Sequence, residues 1–412
     1  MVDKVILKKI CKKIDSYRDD MIELQRLLTA IPAIGPENKG DGEYEKARVL
    51  INYMRSRGFK DIVEYNAPDD RVSSGIRPNI ILTLPGRNPK KTVWILTHTD
   101  IVPPGEMNLW DHDPYKAIVR DGKIFGRGTE DNQQELVASI FATKAFIDEK
   151  ITPASTIGLA FVADEETSSA KGLAYLLETK RNLFKMDDII VVPDFGNPEG
   201  SMIEIAEKSI LWLRFRTLGA QCHGSTPEKG KNAFLAASHL VVRLNDLYDV
   251  FNASEAMYQP PVSTFAPTKK EANVPNINTI PGEDVFYLDC RVLPSYDLEV
   301  ILSEINKMTK EIEKQFDVSI LYEKIQEVTA PEPTPYNANV VSALTVAVKD
   351  IYGVSPVPIG VGGGTVAAHL RKEGYPAAAW SKIDKTMHQP NEYSVIDNMV
   401  GNAKVYAHLF LQ

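Results

Sequence analysis

The chain is poor in cysteine, in positive charge and in long apolar runs. Only Cys11, Cys222 and Cys290 occur among its 412 residues. Their number is odd and their spacing fits neither a disulfide framework nor a zinc knuckle, so a reducing, cytoplasmic setting is expected. Lys and Arg (47) are outnumbered by Asp and Glu (55), which gives a formal net charge of -8. With no basic tract, binding to nucleic acid or to an anionic membrane is not expected. No apolar stretch approaches the ~20 residues that cross a bilayer. The N-terminal MVDKVILKKICKKIDSYRDDMIEL alternates apolar and charged residues and lacks the apolar core of a signal peptide. No internal period is visible, which argues against a solenoid.

What is present is a globular composition, 43% hydrophobic and 25% charged, in a chain long enough for two or three domains. Residues 3–28 carry Val5, Ile6, Ile10, Ile14, Ile22 and Leu24 at helical spacing and predict one amphipathic helix. PNIILTLPG, KTVWILTHTD, STIGLAFVADEE and DIIVVPD read as strands. They alternate with helices such as ELVASIFATKAFID, the pattern of an α/β sheet covered by helices. Near residue 207 the pattern changes. SILWLRFRTLGA, NAFLAASHLVVRLNDLYDVF, a strand around STFAPTKKEANVPNINTI, VFYLDCRVLP, DLEVILSEINKMTKEIEKQF and VSILYEKI give the order β-α-β-β-α-β, the split ferredoxin-like plan. The proline-rich VTAPEPTPYN then returns the chain to α/β alternation. The expectation is a catalytic domain at 1–206 and 330–412, interrupted by an inserted domain at 207–329.

Polar residues gather where the strands of the first domain end. VWILTHTDIV, residues 93–102, runs from Val93–Leu96 into His98 and Asp100, which share one side because strand side chains repeat every second residue. GRGTEDN sets Asp131 just before a buried helix. ADEE sets Glu165 and Glu166 after another strand, VVPD sets Asp194 at the end of a third, and MHQPNE sets His388 in a polar loop. Each has an ordinary explanation alone: a structural His98, a helix N-cap at Asp131, a solvated turn at Glu165-Glu166, a turn cap at Asp194. Together they lie outside the inserted domain, and three segments are strand ends, where open α/β sheets gather ligands. Imidazoles and carboxylates suit zinc, and carboxylates also suit manganese or cobalt. Two ions sharing one carboxylate would use two histidines and three carboxylates. The inventory is that set with Glu165 to spare as a general base. Asp100 is placed to hydrogen-bond the second ring nitrogen of His98 and fix its tautomer.

THTDIVPPG, WDHDPY, DGKIFGRGTEDN, ADEETSS, VPD, CHGSTP, the NTIPGE and DCRVLP pair, GGGT and MHQPNE run in order across nearly the whole chain. In that combination the sequence resembles the M20 peptidase and deacylase family, which includes acetylornithine deacetylase, succinyl-diaminopimelate desuccinylase, aminoacylase-1 and the glutamate carboxypeptidases. The resemblance implies a mixed-sheet α/β zinc-hydrolase domain with an inserted ferredoxin-like α+β lid and dimerisation domain. It implies two divalent ions, usually zinc, with cobalt or manganese as alternatives. Asp131 would bridge them, His98 and Asp194 would complete one site, Glu166 and His388 the other, and Glu165 would be the base. A cis peptide is expected at Asp131-Asn132.

The same resemblance implies a homodimer in which His223 reaches the partner's site to stabilise an oxyanion. Asn278 and Arg291 match lid residues that bind substrate, and a guanidinium suits a free carboxylate. Gly363, Gly364 and Thr365 of GVGGGT match a substrate-binding loop whose glycines let backbone amides approach an anion. No Lys-Ser or Lys-Thr follows, so this is not a nucleotide P-loop. Val366 stands where many members carry Asp. His112, His239, His369 and His408 match no ligand and are read as structural. The expected reaction is hydrolysis of an amide bond in a small N-acyl amino acid or short peptide. A carboxypeptidase or dipeptidase is the alternative within the family. A non-catalytic binding protein on the same fold is disfavoured because every ligand position and the base are present.

Overall fold

The computed structural model describes residues 2–412. The chain forms two compact units: one comprises the chain up to Ile205 with Thr334–Pro358 and Thr365–Gln412, the other Ala206–Pro333 with Ile359–Gly364.

In the first unit a sheet runs in the order Asp61–Pro68, Ile76–Leu84, Ser155–Val162, Asn88–His98, Ile189–Asn197, Ala377–Lys382 and Met202–Glu207. The four strands from Ser155–Val162 to Ala377–Lys382 are mutually parallel, while Asp61–Pro68 and Ile76–Leu84 join antiparallel, making the sheet mixed. The parallel strands are buried apolar runs, including Trp94, Ile95, Leu96, Val191, Val192, Ala378 and Ala379. Strands enclosed on both faces read that way. Helix Gln134–Asp148 is buried over most of its length and packs against the C-terminal helix Ile396–Phe410. Each fully buried Leu, Ile, Val or Phe adds about 1.5–3 kcal/mol.

Register positions the polar ends. Ile95 pairs with Val191, and His98 pairs with Val162. His98 and Asp194 therefore stand equally far beyond a paired position, and Asp164, Glu165 and Glu166 follow directly after Val162–Ala163. The motifs meet at the carboxyl ends of neighbouring strands.

The amphipathic stretch at 3–28 is two helices, Lys4–Asp15 and Arg18–Thr29, not the single one expected. The Ser16 hydroxyl donates to the Lys13 carbonyl at 2.6 Å, and Tyr17 turns inward onto Phe141 with ring centroids 5.2 Å apart. That local side-chain bond and the buried ring interrupt the helix while its apolar stripe continues.

The second unit carries a four-stranded antiparallel sheet in the order Thr264–Lys270, Glu283–Val292, Ser209–Leu218, Ser319–Val328. With helices Ala233–Leu244 and Leu298–Phe316 this is the ferredoxin-like β-α-β-β-α-β arrangement. Burial alternates along Ser209–Leu218, with Leu211, Leu213 and Phe215 facing the core that both helices share. Asn232 and Asp297 cap the two helices by accepting the Leu235 and Glu299 amides, as N-cap side chains do. The strand expected over residues 263–280 is shorter. Thr264–Lys270 joins the sheet, and Thr279–Ile280 pairs instead with Cys222–His223 in a separate ribbon. His239, His369 and His408 lie on helices. Among the described residues no helix is long and apolar enough to cross a membrane.

Candidate metal centre

Five of the expected ligands converge in the first unit. His98, at the end of its strand, is 2% exposed. Its Nε2 lies 2.9 Å from Asp131 Oδ1 and 3.7 Å from Asp194 Oδ1. His388 Nε2 lies 3.1 Å from Asp131 Oδ2 and 3.1 Å from Glu166 Oε2. His98, Asp131 and Asp194 thus form one group able to hold a cation, and Asp131, Glu166 and His388 a second, each with ligand atoms within 4.8 Å of one another. Asp131 belongs to both and offers one oxygen to each histidine.

The local chain explains the placement. Gly128, with φ +81, turns the backbone into the segment Thr129–Gln133, and a Cβ there would meet Ile101 at 2.5 Å. The Asp131-Asn132 peptide is cis. The Asn132 side-chain amide donates to Asp194 Oδ1 and to the Pro193 carbonyl, both at 3.0 Å, and so ties the bridging segment to the Asp194 strand. Asp164 and His388 both adopt positive φ, +60 and +63. Non-glycine residues seldom do so outside sites where surrounding contacts enforce it.

Asp100 differs in detail from the expectation. The nearest partner of His98 Nδ1 is the Asp100 main-chain carbonyl at 3.0 Å, with the carboxylate at 3.5 Å. The carboxylate instead accepts the amides of Glu165 at 3.1 Å and Glu166 at 3.0 Å. Asp100 therefore sets the His98 ring with its backbone and the Glu165-Glu166 turn with its side chain.

Several buried charges behind these residues escaped the sequence reading. Glu392 accepts Arg127 Nη1 at 2.7 Å and the amides of Gly128, Glu130 and Asp131 at 2.9–3.0 Å. Glu130 accepts the Asp384 amide at 2.7 Å and lies 2.9 Å from the Thr386 hydroxyl. Glu43 pairs with buried Arg77 and accepts the Asp164 amide at 3.3 Å. Lys46, one helical turn beyond Glu43, is 1% exposed, and its Nζ has no hydrogen-bond partner among the described residues. Burial drives its pKa down to about 8, against the pull of Asp100, Glu43 and Glu392.

The electrostatics are those of crowded, mutually repelling carboxylates beside two imidazoles. Burial, then Asp194, pushes Glu165 well above the usual carboxylate range. Burial and Asp131 raise Glu166 to about 7, and the same two causes raise Asp194. Burial also acts to raise Asp131, but hydrogen bonds to His388 and His98 prevail and hold it low. Burial opposes protonation of His98, and the surrounding carboxylates of Asp100, Asp131 and Asp194 overcome it. Asp131, then Glu166, lift His388 to about 10. Protons on the histidines thus offset mutual carboxylate repulsion, the task a metal ion performs when it displaces them. Glu166 Oε1 is buried without a partner among the described residues. Donor types, spacing and this orphaned oxygen all fit divalent cations.

The remaining expected residues lie in the second unit or at its border. His223, on the ribbon, holds its Nδ1 3.1 Å from the Ser225 amide. That donor leaves Nε2 as the protonated nitrogen of the neutral ring. Asn278 is brought beside it: the Gly224 amide donates to the Asn278 carbonyl at 2.7 Å. Arg291 pairs side-on with Asp289, Nε to Oδ1 at 2.7 Å and Nη2 to Oδ2 at 3.0 Å, and donates from Nη1 to the Gly362 carbonyl at 2.9 Å. One hydrogen on each Nη stays available at the tip of the fork. Gly363 and Gly364 are exposed, and a Cβ at Gly363 would meet nothing. Thr365, across the unit border, directs its hydroxyl to Glu204 at 3.4 Å.

A mixed α/β sheet that gathers two histidines and a carboxylate cluster at its strand ends, with a ferredoxin-like insertion, is the construction of a metal-dependent hydrolase. Residues 94–412 match the profile of peptidase family M20/M25/M40, and the chain belongs to that family. An uncharacterized metallohydrolase of Methanococcus maripaludis is 43% identical over 414 residues, covering 95% of this chain and 98% of the relative. A succinyl-diaminopimelate desuccinylase of Paracoccus denitrificans is 26% identical over 316 residues, 75% of this chain and 80% of the relative. The crystal structure of human carnosine dipeptidase 1 superposes with a TM-score of 0.78 at 17% identity, covering 98% of each chain; that likeness is one of fold.

Proposed function

We propose that this chain hydrolyses the amide bond of a small N-acyl amino acid or short peptide that bears a free carboxylate, as a deacylase of the acetylornithine or succinyl-diaminopimelate type. The observation that carries the reading is the division of Asp131, Oδ1 to His98 and Oδ2 to His388 at 2.9 and 3.1 Å. One carboxylate presented to two histidines suits a pair of ions. His98, Asp131 and Asp194 would hold one and Asp131, Glu166 and His388 the other, with zinc as the first choice and cobalt or manganese as substitutes. The similarity to a desuccinylase over three quarters of the chain supports a deacylase.

When bound, divalent cations supply charge that polarises a carbonyl and acidifies water. The chain's own groups do the rest. Glu165 takes a proton from the attacking water at its carboxylate and gives it to the leaving amine. Asp100 fixes the turn from which Glu165 projects. His223 donates from Nε2 to the developing oxyanion, from the partner subunit of a homodimer. Arg291 grips the substrate carboxylate with the free tip of its fork, aided by Asn278 and by the loop of Gly363, Gly364 and Thr365. The three free cysteines suit a reducing, cytoplasmic setting.

The test is a substrate panel on protein reconstituted with zinc, cobalt or manganese: acetylornithine, succinyl-diaminopimelate, other N-acetyl amino acids and dipeptides. Turnover of the acylated amino acids is expected. Turnover of dipeptides alone would move the assignment to a dipeptidase, and none across the panel in fully loaded protein would favour a binding role.

A further inference from the structure

We propose that Glu130 is a positioning residue that fixes the loop carrying His388, so that only the Asp131–Glu166–His388 half of the centre depends on it. The proposal rests on the two-ion reading above. His388 has neither strand nor helix to hold it. It sits between strands Ala377–Lys382 and Tyr393–Val395, at positive φ, with its side chain 53% exposed. Asn391 ties the loop's outer end to Asp111 and Leu109 at 2.9 and 3.1 Å, and its start is held from the segment before the bridging aspartate. Glu130, 2% exposed, accepts the Asp384 amide on Oε1 at 2.7 Å and the Thr386 amide on Oε2. The Thr386 hydroxyl lies 2.9 Å from that Oε2 and accepts the Tyr393 amide at 3.1 Å.

From the loop's far end Glu392 reaches back. Its Oε1 accepts the amides of Glu130 and Asp131 at 2.9 and 3.0 Å. Two carboxylates thus cross between the same two segments in opposite directions, closing the loop at residues 384–386 and again at 392, with His388 between. Both carboxylates are themselves buried, and charge-assisted bonds of this kind are the strong ones. Glu130 is adjacent to Asp131 in the chain, so its side chain registers the loop histidine against the bridge, whose own amide is held by Glu392. His98 is set by strand pairing with Val162 and Asp194 by the Asn132 side-chain amide, and neither lies in the loop that this clasp closes.

The test is Glu130→Gln in the full chain, which sets an amide NH2 against backbone N–H donors. In the metal-free protein, hydrogen exchange at 384–391 is expected to quicken while the amides of 96–98 and 190–192 keep their protection. On zinc titration the variant is expected to retain one ion at wild-type affinity and to bind the other about 10–100-fold more weakly, the usual effect of removing a group that orients a ligand. Thr386→Ala, a milder change to the same clasp, is expected to act in the same direction. Unchanged exchange at 384–391, or equal weakening of both ions, would overturn the proposal. If the wild-type chain takes up fewer than two ions, the two-ion reading fails instead, and the exchange experiment still decides the role of Glu130.

Discussion

The two histidines that share Asp131 are held by opposite means. His98 ends an interior strand, is 2% exposed and has its ring set by the carbonyl of Asp100 two residues on. His388 sits in a loop with its side chain 53% exposed, and long-range carboxylates bind that loop to the rest of the unit. One half of the centre is a product of sheet register. The other is a product of hydrogen bonds between segments some 250–260 residues apart in sequence. Rigidity built by register comes with the fold, whereas the loop's can be removed one bond at a time.

The comparison can be tested by degrees. The largest effect is expected where the halves must work as one. Glu165→Gln should lower turnover by roughly 10²–10⁴, the range of general acid–base contributions, with metal content unchanged by elemental analysis. Near-normal turnover would remove Glu165 as the base. Next come the histidines themselves. His98→Ala breaks a buried cluster and should destabilise the metal-free chain by roughly 3–5 kcal/mol. His388→Ala, at a half-exposed site, should cost under about 1 kcal/mol. Each should lose one bound ion, and equal destabilisation in denaturant melts would erase the distinction.

The smallest effect is one of pH. His388 is raised to about 10, so its contribution to metal-free stability is complete below its unfolded value near 6.5 and is lost as pH climbs through 10. Glu166, raised to about 7, holds a proton that the unfolded chain releases above about 4.3, so its effect also falls with rising pH. Melting temperature without metal should therefore decline from about pH 5 to 9. Saturating zinc should flatten or reverse that slope, since binding displaces the protons. A flat metal-free profile would mean that these groups are not coupled as the geometry indicates.

Much of the centre was legible because its residues terminate recognisable elements. Apolar runs followed by His98, Glu165-Glu166 and Asp194 mark strand ends, and parallel register then brings strand ends together. The β-α-β-β-α-β order of the second unit could be read from alternation alone. The supporting charges could not. In sequence Glu130, Glu392, Glu43 and Lys46 look like any solvated residue, and their burial follows from partners distant along the chain. A signal did exist for two of them. GRGTEDN places Glu130 directly before a buried helix, and Glu392 closes MHQPNE, where only the histidine drew notice. The helix break at Ser16-Tyr17 was equally hidden, because it depends on Phe141 far along the chain.

The pairing of Arg291 with Asp289 has a consequence for how a ligand arrives. A guanidinium already neutralised by a carboxylate casts little field beyond contact range, and the chain as a whole is negative by eight charges. An anionic ligand would thus be recognised on touching the fork without being drawn to it from solution. In the proposed role selectivity would reside in how long a molecule stays, and added salt would not slow its arrival.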